Sequence, residues 1–312
     1  MRGICLKIGL AFAFLGIVWP TSGNGAESVP VFVSIVPQKY FVEKIGADLI
    51  QVSVMVKPGT SPATYEPKPR QMVALSKARI YYAIGVPFEE VWLKKIGAAN
   101  PQMLLVHTEE GIEKRPLKAH YHREGNQRTP EKGTQGPADE HQGIKDPHIW
   151  LSPPLVKVQA QNILDALLLV DPGNGTIYQS NYRRFIMELD ALDAQIRGIF
   201  AGKGKGMAFM VFHPAWGYFA QTYGLEQIAV ELEGKEPKPA DLKHLISHAR
   251  ERGIKVIFVQ PEFSTKSAEA IAKAIGAKVV LANPLALDWA NNLKEIASKI
   301  KAALIFEAIS FK

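Results

Sequence analysis

The chain has 312 residues and a single cysteine, Cys5. Beyond that position no thiol exists, so neither a disulfide nor a thiolate metal site can form. Any metal must be held by nitrogen and oxygen. A His-Glu-x-x-His motif is also missing, and with it the usual pairing of metal ligands with a general base in metallohydrolases. Basic residues outnumber acidic ones, 37 to 30, for a net charge of +7. They are scattered, with one small cluster at Lys203-Gly204-Lys205. No basic stripe with interleaved aromatics is present, which argues against nucleic-acid binding. Long apolar runs are lacking too. The run over residues 8–19 is too short to cross a bilayer as a permanent helix. It follows Arg2 and Lys7 and leads into small, polar residues ending at Ala26. Residues 1–26 therefore read as a secretory signal. Cys5 precedes the apolar run instead of ending it, so it does not resemble a lipid-attachment cysteine.

What is present is an ordinary globular composition, 47% apolar and 21% charged. The length allows two domains. Short apolar segments at 29–36, 50–56, 80–84 and 103–107 read as strands, with helical segments between them. The segment 111–145 is polar and interrupts this pattern; it reads as a mobile loop. Over 176–200, Tyr178, Tyr182, Phe185, Leu189, Leu192, Ile196 and Ile199 recur at threes and fours, predicting one long helix. Such a helix spans roughly 37 Å, enough to bridge two domains. Strands at 207–212, 227–232, 256–260 and 278–282 then alternate with helices again. The expectation is an α/β protein of two parallel-sheet lobes joined by one long helix. The boundaries expected are an N-terminal lobe over 27–175, a linking helix over 176–201 and a C-terminal lobe over 202–312.

Two of the eight histidines stand out. His148 lies in Asp146-Pro147-His148-Ile149-Trp150, where Pro147 stiffens the backbone and pushes Asp146 towards an extended conformation. His213 ends the predicted strand at 207–212 and precedes Pro214. Two such residues in corresponding halves can converge across a cleft. Imidazole is the commonest metal ligand, and zinc tolerates shells of nitrogen and oxygen alone. Ring nitrogens that share one ion lie within about 7 Å of each other. The other histidines carry weaker signals. His107 ends a strand and reads as cleft-lining or buried. His244 and His248 share a helix face, which reads as surface. His120, His122 and His141 fall in the polar segment.

These segments, together with Pro58-Gly59-Thr60-Ser61-Pro62-Ala63-Thr64-Tyr65-Glu66-Pro67, Phe212-His213-Pro214-Ala215-Trp216-Gly217-Tyr218-Phe219, Glu233-Gly234-Lys235-Glu236-Pro237 and Asn283-Pro284-Leu285, give the chain a specific pattern. It resembles the metal-specific periplasmic solute-binding proteins of ABC transporters, the ZnuA/TroA-like group. The resemblance covers nearly all of the chain beyond the signal. It implies two four-stranded lobes, a rigid helix and a metal cleft between the lobes. It implies capture of a divalent metal and delivery to an ABC transporter membrane permease, by a periplasmic monomer that is not an enzyme. Zn2+ is the expected cargo, ahead of Mn2+ or Fe2+, because a nitrogen-rich shell favours zinc over manganese.

The family's second and third histidines match His148 and His213. Its first histidine usually stands where this chain has Ala63, and its carboxylate where this chain has Asn283. Asn283 therefore enters the expected shell only as a neutral oxygen donor. Glu66, Asp288 and the histidines of the 111–145 loop are the candidate substitutes. In the family that loop is thought to scavenge metal. The bland readings are a turn-stabilising Glu66 and an Asp288 that caps the last helix. Two alternatives to the importer component stay open: a degenerate relative with weak metal binding or another ligand, and a secreted metallohydrolase.

Overall fold

The computed structural model describes residues 28–117, 145–202, 206–231, 239–263 and 265–309. The expected signal at 1–26, most of the loop at 111–145 with His120, His122 and His141, and the motif Glu233–Pro237 lie outside the described residues.

The first apolar run forms β1 (Val29–Val33). It is bonded on both sides, to β2 (Ile50–Val54) and to β3 (Ile80–Ala83), with Val31 opposite Val52 and Ile80. β4 (Leu104–His107) completes a parallel sheet in the order β2-β1-β3-β4. A strand paired on both edges and covered on both faces has no polar face, which is why β1 lacks alternation. The apolar run continues to Val36, yet the strand stops at Val33. Gln38 decides this. Its Oε1 accepts hydrogen bonds from the backbone N–H groups of Ser34 and Ile35 and starts α1 (Val36–Gly46). Helices α2 (Pro69–Leu75), α3 (Pro87–Ala99) and α4 (Pro153–Val170) also carry proline in their first turn. There the missing N–H is no loss and φ is already helical.

After α5 (Gly175–Phe200) the same order repeats. Strands β5 (Ala208–Val211), β6 (Glu226–Ala229), β7 (Val256–Val259) and β8 (Lys278–Leu281) form a parallel sheet in the order β6-β5-β7-β8. Helices α6 (Gly217–Tyr223), α7 (Pro239–Glu251), α8 (Lys266–Ile275) and α9 (Trp289–Ile309) accompany it. The protein is thus α/β, with two four-stranded parallel sheets and a helix of 26 residues between them. In each sheet the chain reverses its direction of travel beside the first strand. The crevice for a ligand opens at the carboxyl ends of strands at that point. No helix among the described residues is long and apolar enough to cross a membrane.

The two sheets share one apolar core. Phe185 and Leu189 of α5 are buried, and Phe185 stacks on Phe41 of α1 at 6.1 Å. Trp289, at the start of α9, packs edge-on against Phe41 at 4.9 Å between ring centroids. Two indoles also cross-link the halves. Trp150 Nε1 donates to the carbonyl of Pro284 (2.7 Å), and Trp289 Nε1 donates to the carbonyl of Trp150 (2.8 Å). A second, smaller apolar cluster around Met210, Leu245, Ile257 and Ile271 fills the far side of the second sheet.

One buried charge makes stability depend on pH. Glu89 of α3 is 1% exposed and accepts hydrogen bonds from the N–H groups of Ile84 and Gly85. Burial pushes its carboxyl up to about 7, against the lowering effect of those bonds. The folded form therefore holds a proton that the unfolded chain gives up near its ordinary value of about 4.3. Stability from this group is fully present below that value and is lost as pH rises through about 7. The loss amounts to about 4 kcal/mol at most. Urea unfolding at pH 5 and pH 8 should show this fall in the parent. In Glu89→Gln the difference between the two pH values should shrink by most of that amount. An equal pH response in both proteins would refute the assignment.

Candidate metal centre

β5 delivers His213 to the carboxyl edge of the second sheet, beside the point where the strand order reverses. Gln260, at the end of β7, holds its backbone from both sides. The His213 N–H points to Gln260 Oε1 (3.4 Å), and Gln260 Nε2 donates to the His213 carbonyl (3.0 Å). The ring of Phe263 stacks on the imidazole at 5.1 Å and 19°. Glu231, buried just past β6, places Oε2 at 2.5 Å from His213 Nδ1. The imidazole is thus fixed in position, rotation and tautomer: the carboxylate requires the proton on Nδ1, which leaves Nε2 with a lone pair.

His148 is held the same way from the other half. Asp146, 1% exposed, accepts from both the backbone N–H of His148 (3.0 Å) and its Nδ1 (2.8 Å). Burial lowers the His148 pKa, Asp146 raises it, and His213 lowers it further. The net direction is downward, which keeps the ring neutral and its Nε2 unprotonated.

This turn is tied to the second half. Tyr218 Oη donates to the Asp146 carbonyl (3.1 Å), and Arg115 Nη1 donates to the Gly217 carbonyl (2.5 Å). Gly217 has no room for a side chain: a Cβ there would lie 2.9 Å from Asp146 Oδ2 and 3.0 Å from Arg115 Nη1.

The two free nitrogens face each other. His148 Nε2 and His213 Nε2 are 3.4 Å apart, with ring planes at 72°. Two lone pairs at this distance repel unless a proton or a cation lies between them. Two nitrogens bound to one tetrahedral zinc at roughly 2.05 Å are separated by about 3.3 Å. The spacing thus already matches two corners of a zinc shell, well inside the 7 Å expected from the sequence.

The pair opens onto a cavity of about 90 Å³ between the halves, lined mainly by apolar side chains including Trp150, Val86 and Leu285. That volume holds an ion and a few waters. Ala63 lines it as well, and its methyl group offers no donor. Asn283 does not line the cavity. Its Oδ1 accepts from the Leu285 N–H at 2.8 Å, closing a turn. Glu66 is exposed and outside the cavity lining. Asp288 is exposed ahead of α9, its Oδ2 accepting from Asn291 Nδ2 (2.9 Å) and its carbonyl from the Asn292 N–H (3.0 Å). His107 is half-exposed and bonded to Glu109 (3.1 Å), lining a separate depression. His244 and His248 are exposed on α7. Among the described residues no group of three His, Cys, Asp or Glu side chains is gathered so that it could hold a metal as it stands.

Sequence reasoning assigned no role to Asp146, Glu231, Gln260, Glu262 or Phe263. Among the described residues Glu262 is the one carboxylate in the cavity lining. Burial raises its pKa, while its own backbone N–H and the nearby His213 lower it. A local signal existed: Glu231, Gln260 and Glu262 all lie within three residues of a strand end, at the edge where His213 sits. It could not be used without the strand order that makes β6 and β7 the neighbours of β5.

Comparison with known proteins agrees with this arrangement. The family model for the periplasmic zinc-uptake complex component A, ZnuA, matches residues 31–303. The high-affinity zinc uptake system protein ZnuA of Bacillus subtilis is 29% identical over 271 residues, covering 85% of this chain and 81% of that protein. A putative metal-binding protein of Treponema pallidum is 27% identical, with 83% and 80% covered. Among solved structures, a crystal structure of ZnuA superposes with a TM-score of 0.79 at 43% identity, covering 89% of this chain and all of that one. A zinc-bound ZnuA lacking its residues 138–173 gives 0.77 at 44% identity, with 89% and 98% covered.

Proposed function

The chain belongs to the ZnuA family of periplasmic zinc-uptake components, and from that membership we propose that it captures a divalent metal, zinc first, and hands it to the membrane permease of an ABC importer. The family is one of transport proteins and not of enzymes. Residues 1–26 serve as the secretory signal, and the chain from residue 27 works in the periplasm as a monomer.

The observation that carries the reading is the 3.4 Å separation of the two imidazole Nε2 atoms. Asp146 and Glu231 keep both lone pairs aimed at one point, so binding needs no reorientation of either ring. The two buried carboxylates also place negative charge behind the imidazoles, which attracts a cation. An ion entering between the rings removes their lone-pair repulsion. Because the protein donors already in place are nitrogens and no thiolate exists, zinc is preferred over manganese and calcium-like hard ions.

Ala63 and the turn-bound Asn283 support a second reading, a degenerate relative with weakened affinity, since neither supplies the donor the family usually has there. One experiment separates the two. Calorimetric titration of the metal-free protein with zinc and with manganese should show a single zinc site and weaker manganese binding. Zinc at a hundredfold excess over Kd should raise stability by about 2.7 kcal/mol, seen as a higher Tm. Binding of neither metal would overturn the importer reading.

A further inference from the structure

The geometry points to Glu262 as the third protein ligand of the captured zinc, replacing the donors missing at Ala63 and Asn283. This rests on the capture function proposed above.

A pair of imidazoles fills two of the four positions of a tetrahedral zinc site. The cavity that the pair faces is walled by apolar side chains, Ala63 among them, with few polar groups. Zinc in such surroundings is held more tightly by an anionic oxygen, which serves as a ligand and adds to the charge offset from Asp146 and Glu231. Asn283 lies outside the lining, its Oδ1 turned onto the Leu285 N–H, and Glu66 lies outside as well. Glu262 lines the cavity, is partly buried, and follows β7 on the same edge as His213. His213 is the side chain close enough to influence its carboxyl. Gln260 pins the start of this turn to the His213 backbone, and Phe263 stacks on the His213 ring, so Glu262 sits on a segment clamped at both ends to a candidate ligand. Among the described residues its carboxylate has no hydrogen-bond partner beyond its own backbone N–H. A rotation about its side-chain torsions exchanges that bond for the ion. The resulting shell is two nitrogens from opposite halves, one carboxylate oxygen, and a fourth position left for water, which suits a cargo that must leave again.

The test is zinc titration of Glu262→Gln beside the parent and His213→Ala, with unfolding of each metal-free protein. Glutamine keeps the shape and removes the charge. The expected result is a zinc Kd raised about 100-fold, at or beyond the upper end of what outer-shell changes cost, with metal-free stability unchanged. X-ray absorption of the zinc-loaded proteins should show the first-shell oxygen contribution falling in the variant. If the parent binds zinc, His213→Ala does not, and Glu262→Gln binds as tightly as the parent, the inference fails while the capture function stands. A matching fall in metal-free stability would assign Glu262 a structural role and overturn it too. If the parent binds no zinc, both fail together.

Discussion

Replacing His213 by alanine is expected to raise the zinc Kd by more than about 100-fold, and His148→Ala should do the same. Each imidazole is one of two nitrogens set 3.4 Å apart. Either loss leaves an ion with a single anchored nitrogen in an apolar cavity, where water must supply the remaining positions. The carboxylates behind the rings predict a graded series. In Glu231→Gln and Asp146→Asn the imidazoles remain, but the Nδ1 partner at 2.5 or 2.8 Å no longer carries the charge that fixes the tautomer. An amide can present either its oxygen or its NH2 group to Nδ1. The second choice puts the proton on Nε2 and blocks ligation. These variants should weaken zinc by about 10–100-fold, the range for partners behind metal ligands. Calorimetry on the four variants gives the order directly. Glu231→Gln or Asp146→Asn matching the alanine variants would be compatible with this scheme only if the amide locks the wrong tautomer. His213→Ala binding as tightly as the parent would end it.

The second large effect concerns stability. Trp150→Ala should lower the unfolding free energy by about 3–5 kcal/mol, the range for removing a large buried aromatic side chain. Trp150 is 1% exposed and packs between the two halves. Its indole N–H satisfies the Pro284 carbonyl, which would be left without that partner, and a buried polar group unpaired costs about 1–3 kcal/mol within the same total. The reciprocal bond, from Trp289 Nε1 to the Trp150 carbonyl, uses backbone and can persist. Because Trp150 belongs both to the interlobe contact and to the cavity wall, the variant should also bind zinc more weakly. Its ring lies 5.1 Å from that of His148. Denaturant unfolding followed by tryptophan fluorescence and by circular dichroism measures the first effect. A change below about 1 kcal/mol would mean that the halves are held together without this contact.

Much of this was legible in the sequence. The periodicity at 176–200 corresponds to a helix over Gly175–Phe200, and the apolar segments correspond to eight strands, each within a few residues. Where strands were read too long, as at 34–36, the reason was a side chain: Gln38 bonds the N–H groups of Ser34 and Ile35 and starts the helix earlier than apolarity suggests. His148 and His213 were legible as well, through Pro147 and Pro214 beside them and through resemblance to a family with histidines at those places. Their partners were less so. Asp146 stands two residues from His148, and its role could have been guessed from spacing. Glu231 is 18 residues from His213 and Gln260 is 47 away, and both meet it only because β6 and β7 flank β5.

Local pattern is written along the chain, because backbone hydrogen bonding and side-chain periodicity act over a few residues. It determined two α/β halves, the long helix between them, the absence of any thiolate site and two stiffly held histidines. Tertiary structure alone decided what those histidines face. It set their nitrogens 3.4 Å apart across 65 residues of sequence, put the methyl of Ala63 in the cavity wall, turned Asn283 onto Leu285, and left Glu262 as the carboxylate in the lining. The physical reason is that these contacts depend on strand order and on how the two sheets share the core around α5. Both are properties of the packed chain as a whole, and no short stretch of it encodes them.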